Sequence, residues 1–79
     1  MAKDVEIILP SLGFSMEDGI LVEWLVKDGD QVARGDLLYA LETEKSAQEI
    51  ESDAEGRVRI IKQAGETYLV GTVLGVIES

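Results

Sequence analysis

The chain has 79 residues, no cysteine and no histidine, and its 16 acidic against 7 basic residues set a formal net charge of −9. That length suits one domain over residues 1–79 with a modest core, and the missing residue types exclude a disulfide framework, an ordinary zinc site, histidine acid–base chemistry and a cysteine nucleophile. The acidity argues against nucleic acid and anionic membrane as partners, and leaves two roles open: attraction to basic protein surfaces, or plain solubility.

Apolar residues make up 46% and charged residues 29%, the balance of a folded chain. Met1-Ala2-Lys3-Asp4 is not followed by the apolar run of a signal peptide, and no stretch has the length of a membrane span. The expected location is cytoplasmic, or the mitochondrial matrix if a targeting segment was removed. The absence of cysteine agrees with a reducing compartment.

Eight glycines cut the chain into short runs rich in Val, Ile and Leu, a pattern of many short strands. In chain order, strands are predicted at Val5–Leu9, Ile20–Val26, Leu37–Glu42, Ala47–Ser52, Arg57–Ile61 and Val73–Ile77, with short ones at Gln31–Ala33 and Thr67–Leu69. Pro10 closes the first because it cannot donate to a ladder. Lys27-Asp28-Gly29-Asp30 and Gln63-Ala64-Gly65-Glu66 read as turns whose glycine supplies a positive φ. Ser46–Asp53 conflicts with this scheme: its Ala, Glu and Gln content favours a helix, while its length and flanks favour a strand.

An internal repeat organises these elements. From Gly19 the chain runs to Gly29-Asp30, then Gly35-Asp36, then an apolar run ending at Glu42; from Gly56 it runs to Gly65-Glu66, then Gly71-Thr72, then an apolar run ending at Glu78. The later legs have equal lengths, and the first differs by one residue. Two such β units imply two sheets related by a pseudo-two-fold axis and packed face to face. The segment between the units opens with Glu42-Thr43-Glu44-Lys45-Ser46, which reads as a hairpin connection with Lys45 at its tip. Glu42, Glu44 and Glu49 favour the protonated amine, so Lys45 is no strong nucleophile by itself. On local residues alone an ordinary surface lysine is the simpler reading.

The whole chain, however, resembles the lipoyl domains of 2-oxo acid dehydrogenase acyltransferase components. The resemblance runs through Leu9-Pro10-Ser11-Leu12-Gly13, Met16-Glu17-Asp18-Gly19, Trp24 to Val32, Gly35-Asp36-Leu37-Leu38, Leu41-Glu42-Thr43-Glu44-Lys45-Ser46, Gly56 and Gly65-Glu66. It implies an all-β fold, a flattened β-barrel (barrel-sandwich hybrid) of two four-stranded antiparallel sheets, in which Ala47–Ser52 is a strand. It further implies covalent lipoic acid on Lys45, with Glu42, Thr43, Glu44 and Ser46 as the modification motif. The domain itself is expected to have no catalytic residues and to carry acyl groups and electrons as a swinging arm. The implied partners are a thiamine-dependent 2-oxo acid decarboxylase, an acyltransferase core, dihydrolipoyl dehydrogenase, and a lipoate ligase or lipoyl transferase.

The loop Phe14, Ser15, Met16, Glu17 is the implied partner contact, with inward packing of Phe14 or Met16 as the alternative. Trp24, Tyr39 and Tyr68 read as packing residues. Two positions depart from the common pattern: Glu44 stands where Asp is usual before the lysine, and Ser46 where a small or hydrophobic residue is usual after it. Both bear on which ligase acts. A biotin carrier shares the fold but usually flanks its lysine with methionines; the glycine-cleavage carrier is normally longer; an unmodified barrel-sandwich module leaves the motif around Lys45 unexplained. The chain stops where its last strand should, which suggests a piece of a longer acyltransferase, and the isolated domain is expected to be monomeric.

Overall fold

The computed structural model describes residues 4–11, 16–44 and 46–78, and every regular element among them is a strand. These are β1 (Val5–Ile8), β2 (Asp18–Trp24), β3 (Gln31–Val32), β4 (Leu37–Glu42), β5 (Ala47–Glu51), β6 (Gly56–Ile60), β7 (Glu66–Leu69) and β8 (Val73–Glu78). The eight predicted strands are all present, with no end displaced by more than two residues and Leu37–Glu42 matched at both ends. The conflict over Ser46–Asp53 resolves as a strand: β5 pairs along β4 from Ala47 to Glu51, and this ladder outweighs the helical propensity of its residues.

The strands form two antiparallel four-stranded sheets, ordered β1-β8-β6-β3 and β5-β4-β2-β7. No strand pairing joins the two among the described residues, so the barrel is flattened rather than closed. Exchanging β2 with β6, β3 with β7, β4 with β8 and β5 with β1 converts one sheet order into the other. This is the pseudo-two-fold symmetry implied by the repeat. The units do not form one sheet each, as simple face-to-face packing of two units would suggest. The short strand of each crosses over: β3 pairs with β6 and β7 pairs with β2. A strand of two residues (β3) or four (β7) has little surface to bury alone, so each becomes the edge of the opposite sheet and ties the layers together.

The symmetry extends to single hydrogen bonds. Gly29 N donates to Val58 O and Gly65 N to Leu21 O; Gly35 N donates to Ser52 O and Gly71 N to Leu9 O. The first pair of glycines has φ of 91° and 92°, the second 95° and 93°. An L side chain is disfavoured there, which is why turn glycines recur at matched positions. Asp30 and Asp36 add side-chain caps to the first unit's turns, their Oδ2 accepting from Lys27 N and Ala33 N at 2.8 Å each.

Three bulges complete the correspondence. Leu38 on β4 and Leu74 on β8 occupy equivalent register breaks, and both are buried. A bulge interrupts the strict alternation of a strand, and here Leu38–Tyr39 and Leu74–Gly75 are buried as consecutive pairs. The third bulge belongs to the first unit. Leu21 pairs with Leu41 and Glu23 with Ala40, leaving Val22 as the extra residue, whereas Val58 and Arg59 pair with Ile77 and Val76 without a break. Val22 is therefore the one-residue difference between the repeats.

The core lies between the sheets and draws equivalent residues from each unit: Leu21 and Val58, Leu38 and Leu74, Leu41 and Ile77, joined by Ile7, Leu9, Val32 and Tyr39. Tyr39 is fully buried; Trp24 and Tyr68 are half-buried against the cluster, in keeping with their reading as packing residues. Trp24 meets Tyr39 edge-on at 5.4 Å, and its Nε1 donates to Lys62 O at 2.9 Å.

Candidate functional site

The hairpin between β4 and β5 is where the sequence puts its chemistry. Glu42 and Ala47 are the last pair of the ladder. Beyond them Thr43 N donates to Ser46 O at 2.8 Å. The Thr43 hydroxyl also donates to Ser46 O, and Ser46 N donates to Thr43 Oγ1, both at 3.2 Å. Thr43 is thus the lock of the turn, and only positions 44 and 45 separate the two locked residues. Glu44 has no positive φ, so the type I′ and II′ turns, which require one at the first central residue, are not used.

Glu42, Glu44 and Ser46 are exposed, and Thr43 is half-buried. Lys45 lies outside the described residues. The proposed modification motif is thus brought together by the hairpin, with exposed neighbours on both sides of position 45. Attachment of a lipoyl or biotinyl group needs an accessible primary amine rather than an enclosing pocket, and exposed flanks on a short, hydrogen-bonded reversal fit that need.

Of the candidate contact loop, Phe14 and Ser15 lie outside the described residues. Met16 is half-buried and packs against the core, and Glu17 is exposed. Glu17 O accepts from Val70 N at 2.9 Å, which fastens this flank beside the end of β7. The same flank runs alongside the hairpin, because Ile20 pairs with Glu42. Gly19 is buried there: a Cβ on it would stand 2.8 Å from Leu41 Cδ1 and 3.1 Å from Met16 Cε. The glycine leaves room for both side chains to pack over the start of β2.

Sequence reasoning missed Thr43 as the residue that locks the turn; its β-branched hydroxyl was the available signal. It also missed Ser52, buried at the end of β5, whose hydroxyl bonds Ala54 O and accepts from Ala54 N. Ser52 N and O bond Asp36 O and Gly35 N, and this fixes the end of the hairpin remote from position 45.

The biotin/lipoyl family, described as "biotin-requiring enzyme", matches residues 5–77. The dihydrolipoyllysine-residue acetyltransferase component of the pyruvate dehydrogenase complex of Rhizobium meliloti is 40% identical over 75 residues, covering 92% of this chain and 17% of that protein. The pyruvate dehydrogenase E1 component subunit beta of the same organism is 39% identical over 75 residues, covering 92% of this chain and 16% of that one. The chain therefore spans about a sixth of the length of these curated relatives. Among solved structures, the lipoyl domain of the 2-oxoglutarate dehydrogenase complex from Azotobacter vinelandii is similar with a TM-score of 0.76 and 33% identity, over 95% of each chain. The chain belongs to the biotin/lipoyl family, and within it is a lipoyl domain of the kind found in 2-oxo acid dehydrogenase complexes.

Proposed function

We propose that Lys45 is the lipoyl attachment site and that the domain serves as a swinging-arm carrier between the decarboxylase, acyltransferase and dihydrolipoyl dehydrogenase activities of a 2-oxo acid dehydrogenase complex. The observation that carries the reading is the hairpin reversal locked by Thr43 and Ser46, with exposed Glu44 and Ser46 on either side of position 45. A turn locked on the end of a ladder holds the residues that flank position 45 in place relative to the body of the domain.

Bound through an amide, the lipoyl group supplies a cyclic disulfide that can be reduced, can hold an acyl group as a thioester and can be reoxidised. The chain's own contribution is to present and tether. Amide formation also removes one positive charge from a chain already at −9, which makes the hairpin more acidic still. Tethering raises the effective concentration of the carried group at each partner, which replaces a bimolecular encounter by an intramolecular one. Glu44 retains negative charge next to Lys45, as the usual Asp would, at the price of a less turn-adapted side chain.

The test is intact mass after incubation with lipoate ligase, ATP and lipoic acid. The unmodified sequence should gain one lipoyl group, and Lys45→Arg should gain none while keeping its circular dichroism and melting temperature. A variant that still acquires the mass would move the site elsewhere. A parallel incubation with biotin ligase should leave the mass unchanged; biotinylation in place of lipoylation would favour the biotin-carrier reading.

A further inference from the structure

The outward face of the sheet β5-β4-β2-β7 holds a group of exposed aliphatic side chains that the fold does not require. Ile20 is 38% exposed, Val22 42% and Leu69 66%. Because Leu21 and Leu41 point into the core, their neighbours Ile20 and Glu42 point outward. Across this face Thr67 pairs with Ile20, Ile20 with Glu42, and Glu42 with Ala47, while Leu69 pairs with Asp18 in the next row. Ala40 lies between Glu23 and Glu49. The patch is therefore ringed by four carboxylates, and no described Lys or Arg lies on this face. It is continuous with the hairpin, since Glu42 and Ala47 close the ladder just before the turn.

The pseudo-two-fold axis supplies an internal control. Thr67 pairs with Ile20 as Gln31 pairs with Arg57, so Arg57 occupies the position of Ile20 in the other sheet. Glu23 corresponds to Arg59, and Leu69 to Ala33. The equivalent positions of the repeat thus carry isoleucine and leucine in this sheet, against arginine in the other sheet and alanine just past the end of β3. The β architecture accepts polar or small residues there, so the aliphatic side chains need another explanation. Exposed apolar groups rimmed by like charges are a feature of docking surfaces.

We infer that this face docks a cationic enzyme surface, one presenting an apolar contact ringed by Lys and Arg, which belongs to an enzyme that takes the neighbouring hairpin tip into its active site. The acidic ring orients and accelerates the encounter, and the aliphatic centre contributes short-lived affinity. A patch of three side chains suits a transient contact, which a carrier that must leave one enzyme for the next requires. A second copy of the chain is a poor occupant, because two bodies of net charge −9 repel.

The inference rests on the carrier reading, and the experiment separates the two. The lipoylated chain is assayed as substrate for reductive acylation by the thiamine-dependent decarboxylases of a pyruvate and a 2-oxoglutarate dehydrogenase complex, beside free lipoamide. The double variant Ile20→Arg/Leu69→Ala copies residues that the fold already accepts at the equivalent positions, so it should melt close to the parent. With the decarboxylase that uses the parent better, its KM should rise at least ~10-fold with kcat little changed. Asp18→Asn/Glu23→Gln/Glu49→Gln, which alters charge alone, should flatten the salt dependence of kcat/KM. Arg57→Ala, on the other sheet, should change neither. An unchanged KM in a fully lipoylated, folded Ile20→Arg/Leu69→Ala overturns the docking face and leaves the carrier reading intact. So does self-association of the parent that the double variant abolishes, since the face would then bind a second copy. Failure of the parent to be lipoylated, or turnover no better than that of free lipoamide with either decarboxylase, overturns the inference together with the reading on which it rests.

Discussion

Tyr39 shows how one residue can be both indispensable by volume and dispensable by chemistry. Its ring fills the core between the sheets, yet its hydroxyl is buried with no hydrogen-bond partner among the described residues. Burial pushes the phenol up to about 12 from 10.0, because the phenolate is the form that loses hydration. Removing an unpaired buried hydroxyl while keeping the ring is expected to be neutral or stabilising by up to about 1 kcal/mol. Tyr39→Phe should therefore melt at or above the parent temperature at pH 7. The sign of the alkaline effect follows from the shift: the unfolded phenol ionises first, so stability is full below pH 10 and falls as the pH rises towards 12. The Phe variant should lose less stability over that window, which thermal melts at stepped pH will read. At the same scale, Gly56 holds φ at 152° with the Glu78 carbonyl where a Cβ would be, so the glycine opening the second repeat is a requirement of β6–β8 contact.

Among the elements, β2 is the informative one. Its stretch from Gly19 to Trp24 is one residue longer than the matching stretch of β6 from Gly56 to Ile60, and the surplus is extruded as a bulge at Val22 rather than accumulated as a register error. A slip of one residue would turn every following side chain to the wrong face, whereas a bulge confines the disturbance. Deletion of Val22 should join Leu21 to Glu23 as Val58 is joined to Arg59, preserving the inward and outward alternation. The expected outcome is a folded domain destabilised by no more than about 2 kcal/mol, checked by denaturant titration and a dispersed amide spectrum. Deletion of Leu38, whose bulge is buried in the core, should instead abolish the cooperative transition.

For the molecule as a whole, the dominant electrostatic fact is unbalanced acidity. The chain has 16 acidic and 7 basic residues, and one ion pair, Arg59 with Glu78 at 3.1 Å, forms among the described residues. That pair is solvent-exposed and contributes little. Like charges brought together by folding repel, and screening relieves the repulsion. Raising NaCl from about 0.02 M to about 0.3 M at pH 7 should increase the melting temperature by roughly 5 °C. A melting temperature that fell with salt would mean that attractive pairs outweigh the repulsion. The same acidity suits the proposed carrier, which has to approach cationic partners and not linger on copies of itself.

The sequence by itself determined seven of the eight strands, their approximate limits, the turn glycines, the two-unit repeat and a polar connection around position 45. Each of these is written in local chemistry: runs of Val, Ile and Leu between glycines, equal spacing from Gly29 to Gly35 and from Gly65 to Gly71, and a polar segment between apolar runs. Only the tertiary structure decided that Ala47–Glu51 extends rather than coils, because the ladder with β4 outweighs its helical propensity. It alone decided that β3 and β7 change sheets and that Val22 is the residue extruded, since both depend on pairing with strands far away in sequence. The contrast between Ile20 and Arg57 likewise acquires meaning only once the two sheets exist. Before then they are two residues in different runs, with nothing to make them equivalent.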